Sequence, residues 1–140
     1  MRAISIDPLP NTPPHRIIFE YGLGDAQVSW LGCHMIGVSA GAVMFESQVA
    51  EGNETLSQFT MIPDSTVVTT PGGNVIQGWD FGVPVAPFIN IPPNSTTDTH
   101  EYTRRTATAQ AQMAQFFYTG GIANTCGGPC YFPQLRGEYV

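Results

Sequence analysis

Lysine is absent from this 140-residue chain, and charge of either sign is scarce. Only 11% of residues are charged, against about a quarter in ordinary soluble domains, so the polar surface falls to Thr, Ser, Asn, Gln and Gly. The five cations are arginines, only Arg104 and Arg105 are adjacent, and the formal net charge is −6. Clustered cations that displace counterions from phosphates are missing, which argues against a nucleic-acid partner. No window is long and apolar enough to cross a bilayer, and the opening MRAISIDPLPN has no apolar signal core. The expectation is a chain made in a cytoplasm, without a membrane partner. Cysteine is limited to Cys33, Cys126 and Cys130. The Cys126-Gly-Gly-Pro-Cys130 spacing suits either a small local disulfide or two free thiols, and not the two-residue gap of a thioredoxin-type pair. A zinc site from Cys33, His34, Cys126 and Cys130 is disfavoured, because adjacent Cys33 and His34 point to opposite faces of a strand and no second close pair exists. Neither metal nor cofactor is expected.

What is present is led by the apolar stretch 28–49, VSWLGCHMIGVSAGAVMFESQV. Within it Gly37-Val38-Ser39-Ala40-Gly41 matches G-x-S-x-G, the pattern of a serine nucleophile on a strand-to-helix turn. After Gly41, however, Val43, Phe45, Ser47 and Val49 alternate with Met44, Glu46 and Gln48, a period of two, where an elbow requires a helix. The stretch therefore reads as buried strands joined by small residues.

Residues 6–14, IDPLPNTPP, hold four prolines in nine positions, which blocks helix and central-strand pairing and favours an extended arm over 1–14. One domain is expected over 15–140. Strands are expected over 16–21, 27–31, 34–38, 42–49, 55–61, 66–70 and 75–81, with turns at 22–25, 51–54, 63–65 and 71–74. Pro84 and Pro87 make 83–93 an edge strand or irregular crossing. Residues 100–118 favour a strand by their Thr-rich front half; a single helix over 98–118, with Asp98 and Glu101 as a capping box, is the alternative. Residues 131–140 supply a last strand. Short strands at eight- to twelve-residue spacing with Gly/Pro turns predict an all-β antiparallel sandwich, jelly-roll-like, with an extended Pro-rich N-terminal arm.

Few residues suggest chemistry. Ser39, then Asp80 or Asp98, then His100 follow the Ser–Asp–His order of α/β hydrolases, but no crossover helix is evident between Ser39 and His100. His15, His34 and His100 are too scattered for a metal spacing. Trp30, Trp79, Tyr102 and Tyr118 are candidates for a sugar-stacking face, although the two tryptophans lie in apolar runs that suit a core. The sequons at Asn53 and Asn94 read as chance matches.

Gly37-Val38-Ser39-Ala40-Gly41-Ala42 looks like the nucleophile segment of peptidase-E-like enzymes of the glutamine-amidotransferase fold, a likeness of six residues from which no roles are carried over. The proline arm, weakly charged surface and apolar tail (Tyr131, Phe132, Leu135, Tyr139, Val140) describe a subunit covered by neighbours. In this pattern, and in the phrase 91–103 (IPPNSTTDTHEYT), the chain resembles small β-sandwich head-decoration or cement proteins of tailed bacteriophages. The resemblance implies a non-enzymatic virion protein, a homotrimer on a major capsid protein lattice, assembled in a host cytoplasm and without catalytic residues. Its interface candidates are Pro8, Pro10, Pro13, Pro14, Tyr131, Phe132 and Tyr139. The alternatives are a carbohydrate-binding or adhesin-like module, and a serine hydrolase using Ser39 with Asp98 and His100.

Overall fold

The computed structural model describes residues 2–45, 64–65, 73–83, 98–123, 125–127 and 130–133. In chain order its elements are α1 (Arg2–Ser5), β1 (Ile18–Gly22), α2 (Trp30–Ser39), β2 (Val43–Phe45), β3 (Asp64–Ser65), β4 (Val75–Trp79), α3 (Tyr102–Arg105) and α4 (Ala107–Thr119). The strands form one sheet in the order β1-β4-β2-β3, and every pairing is parallel. The expected all-β antiparallel, jelly-roll-like sandwich is thereby overturned. Parallel strands need long crossover connections, and α2 lies in the one that links β1 to β2, two strands that flank β4.

α2 occupies the stretch expected to hold two strands. WLGCHMIGVS is apolar all round, so no 3.6-residue stripe announces a helix, and a short apolar run is ambiguous by periodicity alone. Packing decides: Trp30, His34 and Gly37, spaced four and three apart, are the buried positions. The helix stops at Ser39, Gly41 turns the chain at φ +64°, and β2 follows. The G-x-S-x-G stretch thus runs from helix to strand, the reverse of a nucleophile elbow.

The strand preferred for 100–118 is also overturned. Ala, Gln and Met follow their helical preference, and the break between α3 and α4 falls at Thr106, whose ψ of 121° leaves the helical region. The Thr106 hydroxyl donates to the Tyr102 carbonyl at 2.7 Å, securing the break. Ala109, Gln112 and Phe116 form the buried side of α4.

Expected strands 42–49 and 75–81 contain β2 and β4, 16–21 overlaps β1 up to Tyr21, and β3 falls in an expected turn. Expected strands over 55–61 and 66–70 lie outside the described residues, as do the turn at 51–54, both sequons and most of 83–93 and 131–140.

The sheet is covered on both faces. Phe19, Tyr21, Met44 and Ile76 pack with Trp30 and Cys33 of α2. On the opposite face Trp79 packs with Tyr102 of α3 and Ala109 of α4, and Val75 with Ile18, Val43 and Ile122. All five β4 residues are buried, as a strand flanked on both sides and both faces must be; each large side chain fully buried there stabilises by about 1.5–3 kcal/mol.

The N-terminal segment is not extended throughout. α1 opens it, the His15 N–H donates to the Ile4 carbonyl at 2.7 Å, and the Ser5 hydroxyl reaches the Ala40 carbonyl at 3.4 Å. Ile6 packs where a Cβ on Gly41 would stand, 2.8 Å from its Cδ1, so the segment closes over the α2–β2 turn of its own domain.

Candidate functional site

Ligands of open parallel sheets bind outside the carboxyl ends of the strands, and that end of β1 leads into Gly22-Leu23-Gly24-Asp25. Asp25 Oδ1 accepts the N–H groups of Gln27 (2.8 Å) and Val28 (2.7 Å), an Asx-type turn that steers the chain toward α2. Its second oxygen, Oδ2, lies 3.0 Å from His100 Nδ1. An ionised carboxylate only accepts, so Nδ1 carries the proton and Nε2 is left as the basic nitrogen. Asp25 is 9% and His100 28% exposed, a shielded carboxylate behind an accessible imidazole.

Asp98 holds this pair in place. Its Oδ1 accepts the N–H of Ala26 (3.2 Å) and of His100 (3.1 Å), and Oδ2 accepts Gln27 Nε2 (2.8 Å). Burial works against its charge, but these hydrogen bonds and the His100 ring prevail and hold the carboxyl below the usual carboxylate range. Nearby the Thr99 hydroxyl donates to the Leu23 carbonyl at 2.9 Å. Gly22 is required there, since a Cβ would stand 2.7 Å from Thr99 Oγ1.

Asp25 and His100 open into a cleft of about 370 Å³ whose other polar walls are Glu20, Cys33, Thr103 and Arg104, with Ile18, Val28 and Met113 on the apolar side. That volume suits a small molecule. β1 is the last strand of the sheet on this side among the described residues, so the cleft wraps its outer edge. Burial pushes the Glu20 carboxyl up to about 8, and neither of its oxygens has a hydrogen-bond partner. Burial, and then the charge of Asp25, raise the Cys33 thiol, with its own backbone N–H pulling weakly the other way. Cys33 therefore stands as a thiol and not a thiolate. Arg104 pairs with Glu101 at the rim.

Behind α2, His34 Nε2 meets the Tyr21 hydroxyl at 2.8 Å, and its ring stands edge-on to Tyr21 and Trp30. Burial holds His34 down at about 4, and it is a neutral core residue.

The Ser39–Asp98–His100 triad does not assemble. The Ser39 hydroxyl donates to the Met35 (3.1 Å) and Ile36 (2.8 Å) carbonyls of its own helix. It sits at the far end of α2, nine residues or about 13 Å along from Trp30, whereas His100 sits beside the loop preceding that helix. Asp98 and His100 do meet, but it is Asp25 that takes the ring. Asp25, Glu20 and Thr103 were missed, and Cys33 was weighed only as a zinc ligand; the one available signal was an Asp closing the Gly-rich turn directly after a strand.

The remaining candidates are dispersed. Trp30, Trp79 and Tyr102 are buried, where no sugar reaches, and Tyr118 stands alone on α4. Cys126 and Cys130 form a disulfide, with Cys130 in the cluster around Trp79, while Cys33 packs on the opposite sheet face, so the four-residue zinc set is not brought together. Among the described residues no group of three His, Cys, Asp or Glu is placed to hold a metal. Pro8 is half-buried and Pro10, Pro13 and Pro14 are exposed. Tyr131 is exposed and bridges to Asp80, Phe132 stacks on Trp79 with ring centroids 6.0 Å apart, and Tyr139 lies outside the described residues. Phe132 is thus partly spent on the chain's own core. Compared with protein-family models, curated proteins and solved structures, the chain matches none.

Proposed function

We propose that this chain carries an acid–base hydrolytic centre for small polar substrates, with His100 as general base and Asp25 as the carboxylate that orients it. The observation behind the reading is the 3.0 Å contact between His100 Nδ1 and Asp25 Oδ2 on the wall of a ligand-sized cleft. His100 Nε2 takes a proton from a water attacking a carbonyl carbon, Asp25 stabilises the imidazolium that forms, and the imidazolium returns the proton to the leaving alkoxide or amine as its bond to that carbon breaks, releasing the carboxylic acid. The test is hydrolysis of p-nitrophenyl acetate and butyrate by the purified chain. His100→Ala and Asp25→Asn are each expected to lower kcat/KM by about 10²–10⁴-fold. No wild-type turnover above buffer, or turnover that survives His100→Ala, overturns the reading.

A second reading, a virion decoration subunit that trimerises and seats on a capsid protein lattice, is favoured by exposed apolar side chains. Met35 and Val38 on α2 are 67% and 52% exposed, and Phe117 and Tyr118 on α4 are 77% and 90% exposed, more than a lone monomer needs to display. Light scattering across concentrations separates the outcomes: a stable trimer supports it and a monomer removes it.

A further inference from the structure

We propose that the inner wall of the cleft is a subsite for a primary ammonium group, formed by the Glu20 carboxylate and the Thr103 hydroxyl, so that the substrate class is small amines or amino-bearing esters and amides. The proposal rests on the cleft of the hydrolytic reading and names what fills it. Both oxygens of Glu20 and the Oγ1 of Thr103 are shielded from solvent and lack any hydrogen-bond partner, although both residues line the cleft. Thr103 is 9% exposed. Shielded polar atoms are ordinarily satisfied, and those that are not call for an explanation.

The unpartnered atoms on this wall are mostly acceptors: two carboxyl oxygens, an amide oxygen and a hydroxyl that can also accept. Glu20 pairs in register with Gln77 across β1 and β4, which puts both side chains on one sheet face. Gln77 is fully buried, donates its amide N–H to the Gly78 carbonyl, and leaves Oε1 unpartnered as well. Two residues along β1, Thr103 Oγ1 lies 3.3 Å from the place a Gly22 Cβ would take, beside the Glu20 side of the strand. A primary ammonium brings three N–H donors and one positive charge, matching two carboxylate oxygens and a hydroxyl. Ile18, Val28 and Met113 leave an apolar flank for the carbon skeleton. Asp25 directs one oxygen to backbone N–H groups and the other to His100, so it is already engaged.

The pH behaviour has a definite sign. The cleft that Glu20 borders is also lined by Thr103 and Arg104 of α3, Met113 of α4, Asp25 and His100 of the loops and, from the other sheet face around the β1 edge, Cys33 of α2, while Gln77 of β4 neighbours Glu20 on its own face. With the Glu20 carboxyl held near 8 by burial, an arriving ammonium displaces its proton to solvent. Apparent affinity therefore rises toward tenfold per pH unit between pH 6 and 8.

The experiment is isothermal titration of the full chain with n-hexylammonium chloride and with 1-hexanol at pH 6, 7 and 8. Saturable hexylammonium binding that strengthens with pH, releases a proton and falls at least tenfold in Glu20→Gln supports the proposal, as does weakened binding in Thr103→Val. Absent binding, equal binding of hexanol, or binding unchanged in Glu20→Gln overturns it. His100→Ala keeps the two readings apart: it is expected to lose ester turnover and retain hexylammonium binding. Wild-type turnover without ammonium binding sinks the subsite alone, and binding without turnover sinks the hydrolytic reading alone.

Discussion

Replacing Glu20 with Gln should make the protein more stable, increasingly so as pH rises. In the folded chain burial raises the Glu20 carboxyl from 4.5 to about 8. Between those values the folded state holds a proton that the unfolded state has released, so stability falls by about 1.4 kcal/mol per pH unit. His34 works in the opposite direction. Its folded value is lowered from 6.5 to about 4, so the unfolded state holds the extra proton and stability rises with pH at a similar slope between those limits. The two slopes offset one another below pH 6.5, and of these two only the Glu20 slope continues above it. From pH 6.5 to 8 the wild type should lose about 2 kcal/mol, because both Glu20 oxygens are shielded from solvent. Glu20 is the group the substitution removes, so the difference between wild type and variant reports on Glu20. Urea denaturation followed by tryptophan fluorescence reads this directly, since Trp30 and Trp79 are both buried. A stability difference that stays constant from pH 6.5 to 8, or a wild type that gains stability there, refutes the reasoning.

Three further outcomes follow from the packing. Tyr21→Phe removes the partner of an imidazole that is 1% exposed and should cost about 1–3 kcal/mol in thermal or urea denaturation; an unchanged Tm would show that the contact contributes nothing. Gly22→Ala drives a Cβ to 2.7 Å from Thr99 Oγ1, which is bonded to the Leu23 carbonyl, and should destabilise by about 1–3 kcal/mol. Chemical shifts of His100 should move with it, and a silent spectrum would contradict the coupling of the two loops. Reducing the Cys126–Cys130 disulfide, which closes a loop of sequence separation 4, should cost about 2 kcal/mol on a chain-entropy account; equal denaturation midpoints with and without reductant would refute this.

Legibility in the sequence was uneven, for physical reasons. Ile18, Phe19 and Tyr21, and Val75, Ile76 and Trp79, are β-branched or aromatic side chains bounded by Gly turns, and such runs announce themselves. Whether they pair parallel or antiparallel is decided by what lies between them. There the signal failed, because Trp30 to Ser39 packs one side on the sheet yet keeps Met35 and Val38 apolar on the other, erasing the contrast that marks an amphipathic helix. In 100–118 the Thr-rich front concealed two helices whose joint is itself a threonine, Thr106. His100 and Asp98 were legible as polar residues in a connection. Asp25 was not, because its partner lies 75 residues away and no local pattern encodes a contact of that span.

That span also fixes when the centre is built. Closing a loop of 75 residues costs about 4 kcal/mol of chain entropy, more than one hydrogen bond, even a charged one, returns. The Asp25–His100 pair therefore assembles only after the β1–β4 ladder and the seating of α3 against β1 have brought the two loops together. The amide protons of Gln27, Val28 and His100 should accordingly gain protection late in refolding, so that the centre reports on completion of the whole fold and cannot be carried by either half of the chain alone.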